Sequence, residues 1–426
     1  MENEKHTKIN RKMKHLALII VVLICFLPVQ SFSQSLDSIL QLVVDNNPEL
    51  KALHLEYDAE LMRKDQVSQL PNPTLGVGVP IFRPETRLGP QVLMISASQM
   101  FPWFGTNKAK EDVVISMSKS RFEKIELSRL QLFNKVQVAY FELALLDKEI
   151  AINDSMIKQF DALSSITLSQ IEGGKSSAAN LFRIQIKADE LNQEIQKLIV
   201  KKERSQAVIN GITGRPWETE IKARRTFNIP ALDIELSSIE NSIRENYPMI
   251  VQLNSEIELA EKRQALNQKM GMPTVSIGLD YSVVTKRTDN NPQYNGRDIF
   301  VPKVMVSLPI YRKKYNAKNT EEKVRMDALE YRKTDLTSQI MTKIIAAKTL
   351  YTQASLDNEL SNKQIETIRI TYAIMLSEYS VDGRNFDDLL EIENLRLKYR
   401  LKLARSIYAA QKAKATIEMF TNTSIK

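Results

Sequence analysis

The sequence predicts a mainly α-helical protein with a small membrane β part, built as two tandem structural repeats, and three observations predict it. Two long stretches contain neither Gly nor Pro: Asn107 to Glu172, 66 residues, and Arg312 to Asp382, 71 residues. At ~1.5 Å per residue each would reach roughly 100 Å as an unbroken helix. Glycine is scarce, 12 in 426 residues, against an average near ~7%, so tight turns are few. A block of sequence also recurs after about two hundred residues. In the first long stretch, Ile115, Phe122, Val136, Leu143, Ile150, Ile157 and Ile171 fall on a seven-residue row broken only by Arg129 and Ser164. Such a row marks helices packed side by side as in a coiled coil.

Residues 1-33 read as a secretory signal peptide. Arg11, Lys12 and Lys14 precede an uncharged apolar run from Leu16 to Val29, and Ser31-Phe32-Ser33 supplies small residues for cleavage before Gln34. The run is short for a membrane anchor. Cys25 lies inside it behind the bulky Ile24, which argues against acylation. Cleavage removes the single Cys, together with His6 and His15, and takes the formal charge from +8 to +5 through loss of five basic and two acidic residues. What remains has no disulfide and no Cys or His pair for a metal. The surplus positive charge is spread along helix faces among nearly as many acids, which argues against nucleic acid as a partner. No later segment has the ~18 consecutive apolar residues of a membrane helix. Any insertion must use strands.

In chain order, repeat 1 spans 34-228 and repeat 2 spans 229-426. The first opens with helix over about 36-70, interrupted near Asn46-Asn47-Pro48; the second opens with helix over about 231-270, interrupted at Tyr247-Pro248. At a fixed offset of two hundred, Pro48, Leu53, Glu56, Arg63, Pro73-Thr74 and Gly78 match Pro248, Leu253, Glu256, Arg263, Pro273-Thr274 and Gly278. Identity and hydrophobic phase agree, which is how a tandem duplication reads.

Each opening helix runs into a predicted strand, about 74-82 and about 274-284. Leu75, Val77, Val79 and Ile81 alternate with small residues, and Val275, Ile277, Leu279, Tyr281 and Val283 alternate with Thr274, Ser276, Gly278, Asp280 and Ser282. Alternation over nine or ten residues has the period and length of a membrane-spanning strand. Polar turns (Arg83 to Pro90; Lys286 to Asp298) lead to second strands, about 91-100 and 300-309, where Ile95 and Ala97 match Val304, Val306 and Leu308. Aromatics at Phe101-Pro102-Trp103-Phe104-Gly105 and Pro309-Ile310-Tyr311 suit a membrane interface. The long helices follow, about 107-172 and 312-382, then glycine turns at Gly173-Gly174 and Gly383, then return helices over about 175-210 and 385-420.

Four strands cannot close a barrel, and an open sheet edge in hydrocarbon costs several kcal/mol per unpaired group. Copies of the chain must therefore share one barrel. Two copies give eight strands and a filled interior; three give twelve and leave room for a conduit. In that arrangement Gly76, Gly78, Ser276, Gly278 and Asp280 face the lumen. Val77, Val79, Ile277, Leu279, Tyr281, Val304 and Val306 face lipid.

The Asn46-Asn47-Pro48-Glu49-Leu50 opening, the Pro71-Asn72-Pro73-Thr74-Leu75-Gly76-Val77 strand entry, the duplicated layout, and Gly383 followed by Asp388-Leu389-Leu390 resemble the TolC family of outer-membrane efflux and secretion channels. The resemblance covers essentially the whole chain after the signal segment. It implies a homotrimer with a 12-stranded β-barrel in the outer membrane, continued by an α-helical barrel across the periplasm. It further implies a periplasmic adaptor (membrane fusion) protein and an inner-membrane transporter of RND or ABC type as partners, with drugs, metals or polypeptides as cargo. By the same resemblance, polar residues at the helical turns hold the periplasmic end shut. The matching positions are Gly174, Lys175, Tyr379, Gly383, Arg384, Asp387 and Asp388. Here Arg384 directly follows the Gly, the acids come a residue or two early, and Tyr379 sits one position further from the Gly than in the family.

Other signals carry less. Gly174-Lys175-Ser176 lacks the Gly that a phosphate-binding loop needs five positions before its second Gly, and a helix precedes it. His54 stands alone once the signal segment is cut, and Asp387-Asp388 with Glu391 and Glu393 has no nucleophile beside it. Met270-Gly271-Met272 could meet a soft metal in transit, but Met more often fills gaps. No catalytic residue, cofactor or resident metal is expected. The alternative is a periplasmic coiled-coil adaptor or structural interaction protein whose hairpins are soluble.

Overall fold

The computed structural model describes residues 35–224 and 228–421, so the signal-peptide reading of 1-33 lies outside the described residues. Helix α1 (Leu36–Asn46) starts at Ser35, whose hydroxyl accepts the Ser38 N–H. It stops at Asn47, and Pro48 begins α2 (Pro48–Val67), with the Asn47 side chain accepting the Leu50 N–H at 3.0 Å. A Pro at the first helical position loses no bond, because that N–H has no intrahelical partner. The predicted interruption at Asn47 is therefore a capped boundary between two helices.

Strand β1 (Thr74–Gly78) is shorter than the predicted 74-82. Pro80 has no N–H to give, and Val92, which would lie opposite it, falls at the register shift between Gln91 and Leu93. Val79 and Ile81 consequently lie beyond the strand. A two-residue strand, β2 (Glu85–Thr86), occupies the segment read as a plain turn and pairs with the start of β3 (Gly89–Phe101). Helix α3 (Thr106–Glu172) is unbroken over 67 residues, and α4 (Ala178–Ile212) returns along it. The second half brings α5 (Leu236–Asn246), α6 (Pro248–Met270), β4 (Thr274–Val284), β5 (Ile299–Ser307), α7 (Arg312–Asp382) and α8 (Phe386–Thr421).

The four longer strands form one antiparallel sheet in the order β1-β3-β4-β5. The helices continue that order, since α2 packs on α3, α3 on α6, and α6 on α7. Nearer the glycine turns, α4 takes the place of α2 beside α3, and α8 takes the place of α6 between α3 and α7. The wall is thus four elements wide along its length. Its buried row on α3 is Leu132, Ala139, Leu146, Asn153, Phe160 and Thr167. The row read from the sequence is phased differently: Val136 and Leu143 are buried, Ile115, Ile150, Ile157 and Ile171 are half-buried, and Phe122 is exposed. A helix in a one-layer wall buries its two flanks, so one apolar row cannot describe it. Among the described residues no helix is long and apolar enough to cross a membrane.

Candidate functional site

Two regions concentrate the features that the sequence singled out, the sheet and the paired helical turns. In the sheet, register fixes which residues share a face. Gly76, Ser96, Asp280 and Val301 lie side by side, as do Thr74, Ser98, Gly278 and Lys303. Val77, Ile95, Tyr281 and Phe300 form the corresponding row on the other face, next to Leu75, Ala97, Leu279 and Pro302. One face therefore carries Gly76, Gly78, Ser276, Gly278 and Asp280 together with Met94, Met100, Val301 and Met305, and the other carries Val77, Ile277, Leu279, Tyr281, Val304 and Val306. The Lys303 ammonium meets the Asp280 carboxylate at 2.6 Å on the small, polar face. Lys303 was missed in the sequence, although its parity opposite Val304 and Val306 pointed to it.

The loops beyond the strands hold each other. The Gly296 N–H donates to the Leu88 carbonyl at 2.7 Å, joining the two hairpins. Arg287 forks onto Asp289 at 2.8 and 2.6 Å, and the guanidinium holds that exposed carboxyl down at about 2.

At the opposite end, the two turns between helices pack against one another. Tyr379 is fully buried; its O–H donates to the Thr167 hydroxyl at 3.1 Å and lies 3.2 Å from that of Ser176. The Lys175 ammonium donates to the Val381 carbonyl at 2.9 Å, and the Gln170 amide donates to the Ser380 carbonyl at 2.9 Å. Gly383 stands at φ +69°, and a Cβ there would sit 2.5 Å from the Lys175 carbonyl oxygen. Gly174 has the same φ, +69°, with open space around it. Asp387 is paired with Arg183, whose guanidinium also lies 5.5 Å from the Phe386 ring. No motif flagged Arg183, because it acts across 204 positions of sequence. Arg384 gives its backbone N–H to the Asp382 carboxylate at 3.0 Å. Among the described residues, the side chains of Arg384 and Asp388 have no partner within the chain, and both are exposed.

Just behind this tip, Glu393 is buried against Tyr372 of α7 and bonded to Arg396 at 3.1 Å. Burial lifts its carboxyl above the usual carboxylate range despite Arg396 and Arg400, and burial with Glu393 nearby pushes Tyr372 up to about 12. No group of three or more His, Cys, Asp or Glu placed to hold a metal exists among the described residues.

Solved structures share this architecture. OprN, an outer-membrane channel, superposes with a TM-score of 0.72 over 91% of this chain and 89% of its own, at 14% identity. The chain has the TolC-type outer-membrane channel fold. CusC, which forms a transmembrane channel, has that fold with a TM-score of 0.72 over 92% of this chain and 95% of its own, also at 14% identity. The Campylobacter jejuni outer membrane channel CmeC matches at 0.70, over 92% of this chain and 86% of its own, again at 14% identity. In sequence, an uncharacterised protein of Haemophilus influenzae is 26% identical over 222 residues, 50% of this chain and 47% of the relative. That match thus spans about half the length of the relative. No family model matches the sequence.

Proposed function

We propose that the chain is the exit duct of a tripartite efflux or type I secretion system, a passive channel seated in the outer membrane and reaching into the periplasm. One observation carries this reading: a four-stranded sheet with one apolar face and two open edges, β1 and β5. Open edges and an apolar outer face are compatible with lipid only if other copies complete the barrel. The helices have the same need at the same sides. On the α7 edge Val324, Tyr331, Leu356, Ile374 and Val381 are exposed, and on the other edge Leu55 and Met62 of α2 and Phe182 and Val200 of α4 are exposed. A homotrimer joins β5 to β1 and α7 to α2 and α4 at each junction, giving twelve strands above twelve helices.

The internal repeat, 34-228 with 229-426, fits the same reading. Val114, Leu132, Val136, Ala139, Leu146, Asn153 and Phe160 are buried. So are Glu322, Ile340, Ile344, Ala347, Ala354, Ser361 and Ile368, each 208 positions further on. Within one chain α3 meets α6 as, in the trimer, α7 would meet the next copy's α2. The exposed Arg384 and Asp388 at the tip lack partners in one chain and are placed to meet another copy, which supports a gate there. Lys175, Tyr379 and Gly383 would hold the two turns together, Gly174 shaping its own turn, with Asp387 engaged by Arg183. A periplasmic adaptor and an RND- or ABC-type transporter would dock on the helical end, and outer-membrane lipid would surround the apolar strand face.

Cell fractionation and planar bilayers test this. The protein should fractionate with outer membranes, resist extraction by high salt, and conduct ions in a bilayer, with Arg384→Ala and Asp388→Ala raising the conductance of the resting channel. A protein washed off by salt and unable to conduct would sink the duct. Unchanged conductance in both variants would remove those residues from the gate.

A further inference from the structure

We propose that Asp280 and Lys303 form a compensated charge ring that keeps the barrel lumen neutral and open to cargo of either sign. The proposal rests on the channel reading above. On the small, polar face of the four longer strands, these two are the only charged side chains. They occupy adjacent rows, Lys303 beside Gly278 and Asp280 beside Ser96, and the ammonium reaches diagonally to the carboxylate at 2.6 Å. Room for that reach comes from Gly278: a Cβ there would stand 2.9 Å from Lys303 Cε and 3.2 Å from its Cγ. The lysine stem therefore lies across the glycine rather than projecting into the lumen. Gly76 plays a similar part for Ser96, whose hydroxyl would be 2.6 Å from a Cβ. The site is thus shaped to lay the pair flat against the wall.

Twelve tilted strands enclose a barrel of roughly 12 Å radius. Side chains on its inner face bring a charge to within a Debye length of the axis, ~10 Å at 0.1 M salt. Three carboxylates with no ammonium beside them, or three ammoniums with no carboxylate, would impose one sign of potential on everything passing. Paired three and three, they impose none.

The test is the reversal potential of the purified trimer in planar bilayers under a KCl gradient, at the lowest salt that gives stable pores, so that screening is weak. Lys303→Met should raise the ratio of K+ to Cl− permeability severalfold. Asp280→Asn should lower it by a similar factor, and the double variant should return close to wild type. Conducting pores in which neither single variant shifts the ratio would overturn the charge ring while leaving the channel standing. Failure of every form, wild type included, to conduct would overturn the channel reading and this proposal together. Both substitutions lie on the face proposed to meet water, and the outer-membrane yield of trimer verifies that each variant has assembled.

Discussion

The membrane reading of the sheet is most directly tested by placing a charge at one depth on each of its faces in turn. Leu279 is the sixth of the eleven residues of β4, so it lies at the strand's centre. At ~3.3 Å per residue and a tilt of ~40°, that strand projects to about 28 Å, which spans the ~25 Å apolar band of such barrels. An Arg at mid-depth on the lipid face costs about 2–4 kcal/mol per copy, and a trimer carries the cost three times. Even ~2 kcal/mol changes a folded-to-unfolded ratio by as much as ~30-fold. Ser96→Arg supplies the contrast at almost the same depth. Ser96 lies opposite Asp280, on the other face and one row from Leu279, so an arginine there meets water and a carboxylate. Trimer in the outer-membrane fraction, scored by unheated gel electrophoresis and by melting temperature, should collapse for Leu279→Arg and stay near wild type for Ser96→Arg. If both variants assemble equally well, or fail equally, the two faces do not see different solvents. A soluble hairpin, as in the adaptor alternative, would give the first of those results.

Two further predictions concern the tip. Both Gly174 and Gly383 have φ +69°, where an L residue costs roughly 1–2 kcal/mol. Only Gly383 also faces a carbonyl oxygen within 2.5 Å of an added Cβ. Gly383→Ala should therefore lower the melting temperature clearly more than Gly174→Ala, and equal losses would show that the contact between the two turns contributes nothing. The second prediction is a pH effect. Because burial raises the Glu393 carboxyl, the fold favours its protonated form. That contribution is complete below the ordinary carboxylate value and is lost as pH rises through the raised one. Glu393→Gln, which imitates the protonated form, should gain on wild type as pH climbs from the ordinary carboxylate range towards neutrality and above. A melting-temperature difference constant over that range would contradict the buried-carboxylate account.

How much of this was legible depended on whether the information was local. The long helices were, because a stretch free of Gly and Pro can hardly do anything else over that length, and their ends came from Gly173 and Gly383. Observed bounds of Thr106–Glu172 and Arg312–Asp382 differ from the reading by at most one residue. Strand faces were also legible, since period-two alternation survives pairing with any partner. The end of β1 was not: alternation continued through Val79 and Ile81, while the hydrogen-bond ladder stopped where Pro80 would have faced a shifted register. At the tip, Tyr379 read as one member of a polar set, yet it is the buried link between the turns. Its partners, Thr167 and Ser176, carry no signal of their own. Arg183 and Lys303 were overlooked for the same reason, because each acquires meaning only from a carboxylate on another element.

The change of helix partners part-way along the wall explains how one chain can serve two different spacings. Strands sit ~4.8 Å apart and packed helices ~8–10 Å apart, so twelve helices enclose a tube about twice as wide as twelve strands would without tilt. Keeping four elements per chain at every level avoids adding or dropping a wall member at the junction. Only the tilt and spacing need change there. Lower down, α2 and α6 end and α4 and α8 replace them, while α3 and α7 run through both levels. The two continuous helices are thus the only ones that run unbroken from the sheet to the tip. The ties that fix the exchange lie where the helices hand over: the Asn47 amide donates to the Ile212 carbonyl at 2.8 Å, and the Asn134 amide donates to the Ala415 carbonyl at 3.0 Å. In the proposed duct, rotation or bending of α3 and α7 would be the most direct mechanical link between tip and barrel. If the tip is the proposed gate, those mid-wall ties decide how far a movement there reaches the strands.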